Sequence, residues 1–285
     1  MHDTALPPDS ASTTSVAWPQ ALLDATQQAM QLAYGQPIRL ERVASIDSTN
    51  SELMRRARAG CCEPVLLVAQ TQTAGRGRLG RSWHGGTDDA LTFSISLPLA
   101  PRDWSGLSLA LGVALADALD PQRRQGLGLK WPNDLWFEAR KLAGILVETV
   151  APAGSAAAHR TAMRQLVIGV GINIAERPGA GLATAPAWAR ELMPGCTPAR
   201  VLREVAAPLL GAAVQFEQYG FAPFHARFDA RDVLRDRAVT ATGAQGEATA
   251  GTAHGVSDAG ALLLHTERGM QPIHALDVSV RPVRS

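Results

Sequence analysis

Residues 75 to 83 read Gly75-Arg76-Gly77-Arg78-Leu79-Gly80-Arg81-Ser82-Trp83, which places three arginines, three glycines and an indole within nine positions directly after an apolar run. Arg76, Arg78 and Arg81 are forked cationic donors suited to phosphate or carboxylate oxygens. The glycines let backbone amides approach a ligand, and Trp83 offers a face for stacking. Taken alone, the segment is either an anion-holding loop or a solvated basic loop.

Other segments carry comparable chemistry. Ser48-Thr49-Asn50 supplies short polar side chains, Lys130-Trp131-Pro132-Asn133-Asp134 follows further on, and Lys141-Leu142-Ala143-Gly144-Ile145-Leu146-Val147-Glu148 precedes Gly169-Val170-Gly171-Ile172-Asn173-Ile174. Each has a plain structural reading as well: a helix cap, a turn, a snorkelling lysine, or glycines at a close packing contact.

The elements that must position these groups are legible in outline. A helix is expected over Leu22 to Tyr34, an extended segment over Ile38 to Val43, and a helix from Thr49, whose spacing to Glu52 matches a capping box, to a stop at Gly60. Strands are expected at Val65 to Gln70 and Leu91 to Leu97, flanking the arginine loop, and again at Leu127 to Trp131, Lys141 to Val150 and Gln165 to Ile174. Leu107, Ala110, Leu111, Ala114, Leu115 and Ala118 repeat at helical spacing and predict a core helix. Thr197-Pro198 opens a helix running toward Tyr219 with a disturbance at Pro208, and a further helix covers Pro223 to Leu234. This order predicts a mixed sheet with helices on one side. From about Arg237 short strands alternate with glycine turns, which predicts a small β domain. Residues 151 to 160 read as an Ala-rich surface loop.

The composition bounds the function. With 285 residues, 46% of them hydrophobic, the chain can build about two domains with sizeable cores. Its 27 basic and 26 acidic residues leave no global field for nucleic acid, so positive character must be local. The longest apolar stretch, Leu107 to Leu119, is too short to span a bilayer, and no membrane association is expected. Three cysteines form no disulfide framework and lack metal-ligand spacing, which suits a cytoplasmic protein whose thiols are structural. Residues 1 to 17 read as a flexible tail.

In order and content, Ser48-Thr49-Asn50, Gln72, the arginine loop, the Trp-Pro-Asn-Asp segment, the strand opened by Lys141 and the glycine-spaced strand resemble the bacterial biotin protein ligases over residues 45 to 175. Gly251-Thr252-Ala253-His254-Gly255 and Gly260-Ala261-Leu262-Leu263-Leu264 are similar to that family's C-terminal β barrel. The resemblance implies an α+β fold, with a mixed β-sheet catalytic domain of the biotin/lipoate ligase type at 18–236 and a small SH3-like β-barrel at 237–285. It also implies a two-step reaction: biotin and ATP give biotinyl-5'-AMP with release of pyrophosphate, and the acyl group then passes to a lysine of a biotin carboxyl carrier protein domain.

By the same resemblance, Ser48, Thr49, Asn50, Gln72, Arg76, Gly77, Arg78, Lys141 and Gly144 hold biotin, while Arg78, Arg81, Trp83, Asn133, Lys141 and Asn173 hold the nucleotide. Lys141, Arg76 and Arg78 offset charge at the α-phosphate, and Asp134 positions or deprotonates the acceptor amine. Mg2+ is expected to bind mainly through phosphate oxygens, and no metal ligands are assigned. A lipoate ligase or octanoyltransferase of the same fold, and a non-catalytic biotin- or nucleotide-binding module, remain alternatives; the arginine loop with its trailing tryptophan favours biotin. Some family members carry a DNA-binding module before the catalytic domain, but residues 1 to 37 contain no Lys or Arg, so no sequence-specific DNA binding is expected. A homodimer through a sheet edge stays open.

Overall fold

A computed structural model describes residues 18–123, 125–151, 163–176, 184–243, 246–275 and 278–282. The tail at 1–17 and most of the Ala-rich loop at 151–160 lie outside the described residues.

The larger unit comprises α1 (Gln20–Tyr34), β1 (Arg39–Ile46), α2 (Thr49–Arg58), β2 (Val65–Gln72), β3 (Ala90–Leu99), α3 (Leu107–Leu119), β4 (Leu127–Lys130), β5 (Asp134–Phe137), β6 (Arg140–Val150), β7 (Arg164–Asn173), α4 (Ala189–Leu192), α5 (Pro198–Tyr219) and α6 (Ala222–Asp229). Its seven strands run in the order β1-β2-β3-β7-β6-β5-β4, parallel between β1 and β2 and antiparallel elsewhere. The smaller unit is a five-stranded antiparallel sheet ordered β11-β10-β9-β8-β12, from β8 (Ala238–Thr242), β9 (Ala248–Val256), β10 (Leu262–Thr266), β11 (Gly269–Ile273) and β12 (Ser279–Pro282). This is the mixed α+β architecture with a small β domain that the sequence predicts.

Alternation along the strands assigns the two faces of the large sheet. Leu66, Val68, Leu91, Phe93, Ile95, Leu97, Ile168 and Val170 point into the main core under α1, α3 and α5. Val65, Leu67 and Val167 point to the other face and meet Leu53 and Met54 of α2. Helices therefore cover both faces, not one as expected, because β2 and β7 are apolar on successive residues and both sides need cover.

Several local expectations shift. Ser48, not Thr49, is the N-cap of α2: its hydroxyl accepts from the Ser51 amide at 3.3 Å, and Glu52 pairs with Arg55 and Arg56. α5 continues through Pro208, whose ring faces solvent while Val205, Leu209 and Leu210 hold the helix to the core. α6 stops at Asp229, because the following segment leaves the helix to pair with β4: the Leu129 amide donates to the Arg231 carbonyl at 2.7 Å and the Val233 amide to the Leu129 carbonyl at 3.0 Å. Cys196 is buried, whereas Cys61 and Cys62 are exposed, so the structural reading of the thiols holds for Cys196 alone.

The segment after α6 also contains a buried acid. One Asp232 oxygen accepts from the Leu234 amide at 2.9 Å and the other is buried without a partner. Burial pushes this carboxyl from 3.8 up to about 6. A raised acid value means the folded state loses stability as pH rises through 6 and is unpenalised below about 4. Asp232→Asn is therefore expected to stabilise the protein by about 1–2 kcal/mol above pH 7 and to change little at pH 4, as read from urea unfolding at both values.

Candidate active site

The site lies on the α2 face of the sheet, where side chains shrink. Gly144 faces Gly171 in register across β6 and β7, Leu146 faces Gly169, and Thr92 and Ser94 continue the floor on β3. These small residues leave a cavity of about 140 Å³ lined at one end by Ser48, Thr49, Asn50 and Gln72 and at the other by Arg78, Arg81, Asn133, Asp134 and Lys141.

The polar end is wired by α2. With Ser48 engaged as the cap, the Thr49 amide and hydroxyl both donate to Gln72 Oε1, at 2.7 and 3.1 Å. Thr49 and Ser94 hydroxyls meet at 2.8 Å, and Ser94 donates to Asn50 Oδ1 at 3.2 Å. Asn50 Nδ2 donates to Glu148, which also pairs with Arg76 at 3.4 Å. Asn50 is pressed against Gly169, where an added Cβ would lie 2.6 Å from Asn50 Oδ1. Ser94 and Glu148 are thus central to a network whose outer members were readable from the sequence.

The arginine segment forms a hairpin. Arg76 bridges Ser82, the Gly77 amide donates to the Arg81 carbonyl at 2.7 Å, and the Trp83 amide to the Gly75 carbonyl at 2.9 Å. Leu79 and Gly80 turn the chain with φ of 56° and 69°, a conformation glycine adopts freely. Gly77 lines the cavity beside Arg76 and Arg78. Arg78 donates to Asn133 Oδ1 at 3.5 Å and to the Ala275 carbonyl, and Arg81 donates to the Ser279 hydroxyl at 3.0 Å, so the loop touches the β domain.

Trp83 lies flat over Gly171, where an added Cβ would come within 2.3 Å of the indole. Its indole nitrogen is buried without a partner. The Lys141 ammonium stands 6.0 Å from the Trp83 ring centroid and pairs with Asp134 at 2.7 Å. The lysine backbone is fixed on both sides, its amide donating to the Ala185 carbonyl and its carbonyl accepting from the Ala187 amide, each at 2.9 Å. Asn173 adds a third tie, donating to the Lys141 carbonyl at 3.0 Å; it is buried behind the cavity and does not line it. Asn133 donates to the Ile145 carbonyl at 2.7 Å and anchors the β4–β5 turn.

The structure therefore gathers Ser48, Thr49, Asn50, Gln72, Arg76, Gly77, Arg78, Arg81, Trp83, Asn133, Asp134, Lys141 and Gly144 around one cavity and leaves Asn173 in a supporting position. Among the described residues Asp134 is the one carboxylate lining it, and it is already paired with Lys141. Among the described residues no cluster of three or more His, Cys, Asp or Glu gathers into a cage for a metal. Polar side chains at one end and concentrated cations at the other suit a ligand with a small hydrogen-bonding head joined to an anion.

Residues 43–173 match the Biotin/lipoate A/B protein ligase family, and residues 236–281 match the Biotin protein ligase C terminal domain. The bifunctional ligase/repressor BirA of Salmonella typhimurium is 36% identical over 94% of this chain and 81% of its own. The biotin–[acetyl-CoA-carboxylase] ligase of Paracoccus denitrificans is 33% identical over 83% of this chain and 98% of its own. Among solved structures, the biotin protein ligase from Aquifex aeolicus in complex with biotin and ATP superposes with a TM-score of 0.71 at 27% identity, covering 86% of this chain and 99% of the other. With that sequence identity across nearly its whole length, this chain belongs to the biotin protein ligase family.

Proposed function

We propose that the chain catalyses ATP-dependent attachment of biotin to a lysine of a biotin carboxyl carrier protein domain, through biotinyl-5'-AMP. The observation that carries this reading is the convergence of Lys141, Arg78 and Arg81 on the far end of a cavity whose near end is a hydrogen-bonded Thr49–Gln72–Ser94–Asn50 network, with Arg76 paired to Glu148 beside it. Residues 18–236 act as the catalytic domain and 237–285 as its β domain.

The ureido ring of biotin has two N–H donors and a carbonyl acceptor, which the Ser48, Thr49, Asn50 and Gln72 side chains match in kind. Gly144 keeps the floor open toward the carboxylate end. There Arg76, Arg78 and Lys141 offset the repulsion between the vitamin's carboxylate and the α-phosphate of ATP. Trp83 stacks on adenine, with Arg81 and Asn133 beside the phosphates; Asn173 acts by holding Lys141 in place. Magnesium enters as part of the MgATP substrate, its charge carried by phosphate oxygens.

In the second step the carrier amine attacks the acyl carbon and AMP departs. Asp134, released from Lys141 when that lysine turns to phosphate, accepts a hydrogen bond from the incoming amine and takes its proton. Among the described residues no helix is long and apolar enough to cross a membrane. Action in the cytoplasm follows from the carrier's requirement for ATP-driven modification.

ATP–pyrophosphate exchange tests the first step. Exchange that depends on biotin and is not supported by lipoate is the expected result. Exchange driven by lipoate moves the chain to the lipoate side of the family, and none with either acid reduces the site to binding.

A further inference from the structure

The hydrogen-bond network at the polar end of the cavity terminates on a charge. Glu148 follows Gly144 and Leu146 along one face of β6 and does not itself line the cavity. One of its oxygens accepts from Asn50 Nδ2, and the other pairs with Arg76 at 3.4 Å. Asn50 and Ser94 are buried, so their polar groups need fixed partners. The two ends of an amide have nearly the same shape, and the neighbours decide which way it faces. A carboxylate only accepts, so Glu148 turns Asn50 Nδ2 toward itself and leaves Oδ1 toward Ser94. The Ser94 hydroxyl must then donate to Asn50 Oδ1, at 3.2 Å. With its single proton used, Ser94 accepts from Thr49 at 2.8 Å, which draws the one Thr49 hydroxyl proton away from the longer contact to Gln72 at 3.1 Å. Gln72 Oε1 is left accepting from the Thr49 amide, at 2.7 Å, and keeps a lone pair for a donor in the cavity. With Asn50 reversed the hydroxyls run the other way: Ser94 donates to Thr49, Thr49 donates to Gln72, and that lone pair is taken.

We propose that Glu148 is a positioning residue that sets the direction of this hydrogen-bond chain, and through it the selectivity of the site for a cyclic urea. This rests on the biotin ligase reading and deepens it, since the group that sets the pattern does not touch the ligand. The ureido N–H groups need acceptors, and Gln72 Oε1 offers its second lone pair only while Asn50 faces Glu148. A ring without N–H groups, such as the dithiolane of lipoate, leaves that acceptor unmatched and is disfavoured. Arg76, half exposed, balances the Glu148 charge from the solvent side. No bond is made or broken in this role, and no proton is released.

Calorimetric titration of the full-length protein with biotin, with desthiobiotin, which keeps the cyclic urea, and with a non-hydrolysable ATP analogue tests the assignment. Glu148→Gln keeps the size of the side chain but offers a donor as well as an acceptor, so Asn50 is no longer held one way. Its affinity for biotin and for desthiobiotin is expected to fall by about ten- to a hundred-fold, the loss typical of a hydrogen bond to a charged group, while binding of the ATP analogue changes less than about two-fold. Combining Asn50→Asp with Glu148→Gln moves the charge one place along the chain: the introduced aspartate can only accept, so Ser94 must again donate toward it. That double variant should return to within about five-fold of the wild-type affinity for biotin, whereas Asn50→Asp alone sets two carboxylates against each other and should bind biotin more weakly than the double variant. Unchanged biotin affinity in Glu148→Gln, an equal loss for the ATP analogue, or a double variant no better than Asn50→Asp would overturn the proposal. Should Glu148→Gln not fold, the comparison of the double variant with Asn50→Asp decides. A wild-type protein that binds no biotin would instead overturn the biotin ligase reading, and this proposal with it.

Discussion

Lys141→Ala is expected to slow biotinyl-5'-AMP formation by about a hundred- to a thousand-fold, the scale seen when a preorganised group stabilising transition-state charge is removed. Adenylation brings a carboxylate onto an already anionic phosphate, and Lys141 is the cation whose position the fold fixes most tightly. Three backbone hydrogen bonds, from the Ala187 amide and Asn173 to its carbonyl and from its own amide to Ala185, hold the residue from which the side chain projects. The side chain is 29% exposed and is not part of the apolar core, so the variant should fold. It leaves Asp134, 15% exposed, without its counter-ion at 2.7 Å, which destabilises the folded state modestly. Lys141→Arg should not restore the rate, because a planar fork cannot occupy the place of a compact ammonium beside Trp83 and Gly144. Single-turnover adenylate formation with a parallel thermal melt checks this. A rate within ten-fold of wild type, in a variant that melts normally, would remove Lys141 from the chemistry.

The second large effect is expected at a position with no functional group. In Gly171→Ala the new Cβ would fall 2.3 Å from Trp83 Cε2 and 2.5 Å from Cζ2, closer than real contacts permit. The strand cannot yield, since β7 is paired on both sides by β3 and β6, so the indole must leave. Losing its stacking face should weaken ATP binding by about ten- to a hundred-fold. Biotin affinity should change less, because the Thr49–Gln72–Ser94 network lies at the other end of the cavity. Calorimetric titration with biotin and with a non-hydrolysable ATP analogue separates the two. Equal losses for both ligands would mean the strand, and not Trp83, had moved.

How far the sequence specified this site depends on the kind of signal. Strong periodicity placed β2, β3, β7 and α3 to within a residue or two, since a long apolar run or a repeated helical face has few alternatives. The arginine loop, Lys141 and the Ser48-Thr49-Asn50 triplet were legible because their residue types are unusual together. The cap at Ser48 was misplaced by one residue, as Ser48 and Thr49 cap equally well in isolation; what decides is the tertiary bond from Thr49 to Gln72, 23 residues away. No strand was expected over β5, because Trp131-Pro132-Asn133 turns the chain and the four-residue strand beyond it shows little alternation.

Ser94 and Glu148 carried a weak signal that went unread. Thr92, Ser94 and Ser96 alternate with Leu91, Phe93, Ile95 and Leu97, a polar face on a strand buried on both sides, and buried hydroxyls need partners. Glu148 follows an apolar run within β6, and only the pairing of β6 with β7 brings it to Asn50 and Arg76. Asn173 points to its supporting place for a similar reason: the partner it holds, Lys141, is 32 residues distant and no local pattern links them.

The measurement that bears most directly on the account is intact mass of an apo carrier domain after incubation with this protein, MgATP and either biotin or lipoate. The account predicts the addition of one biotinyl group to a single lysine, dependent on ATP, absent with Lys141→Ala, and absent with lipoate. Addition of lipoate, or addition of biotin that persists in Lys141→Ala, would contradict it.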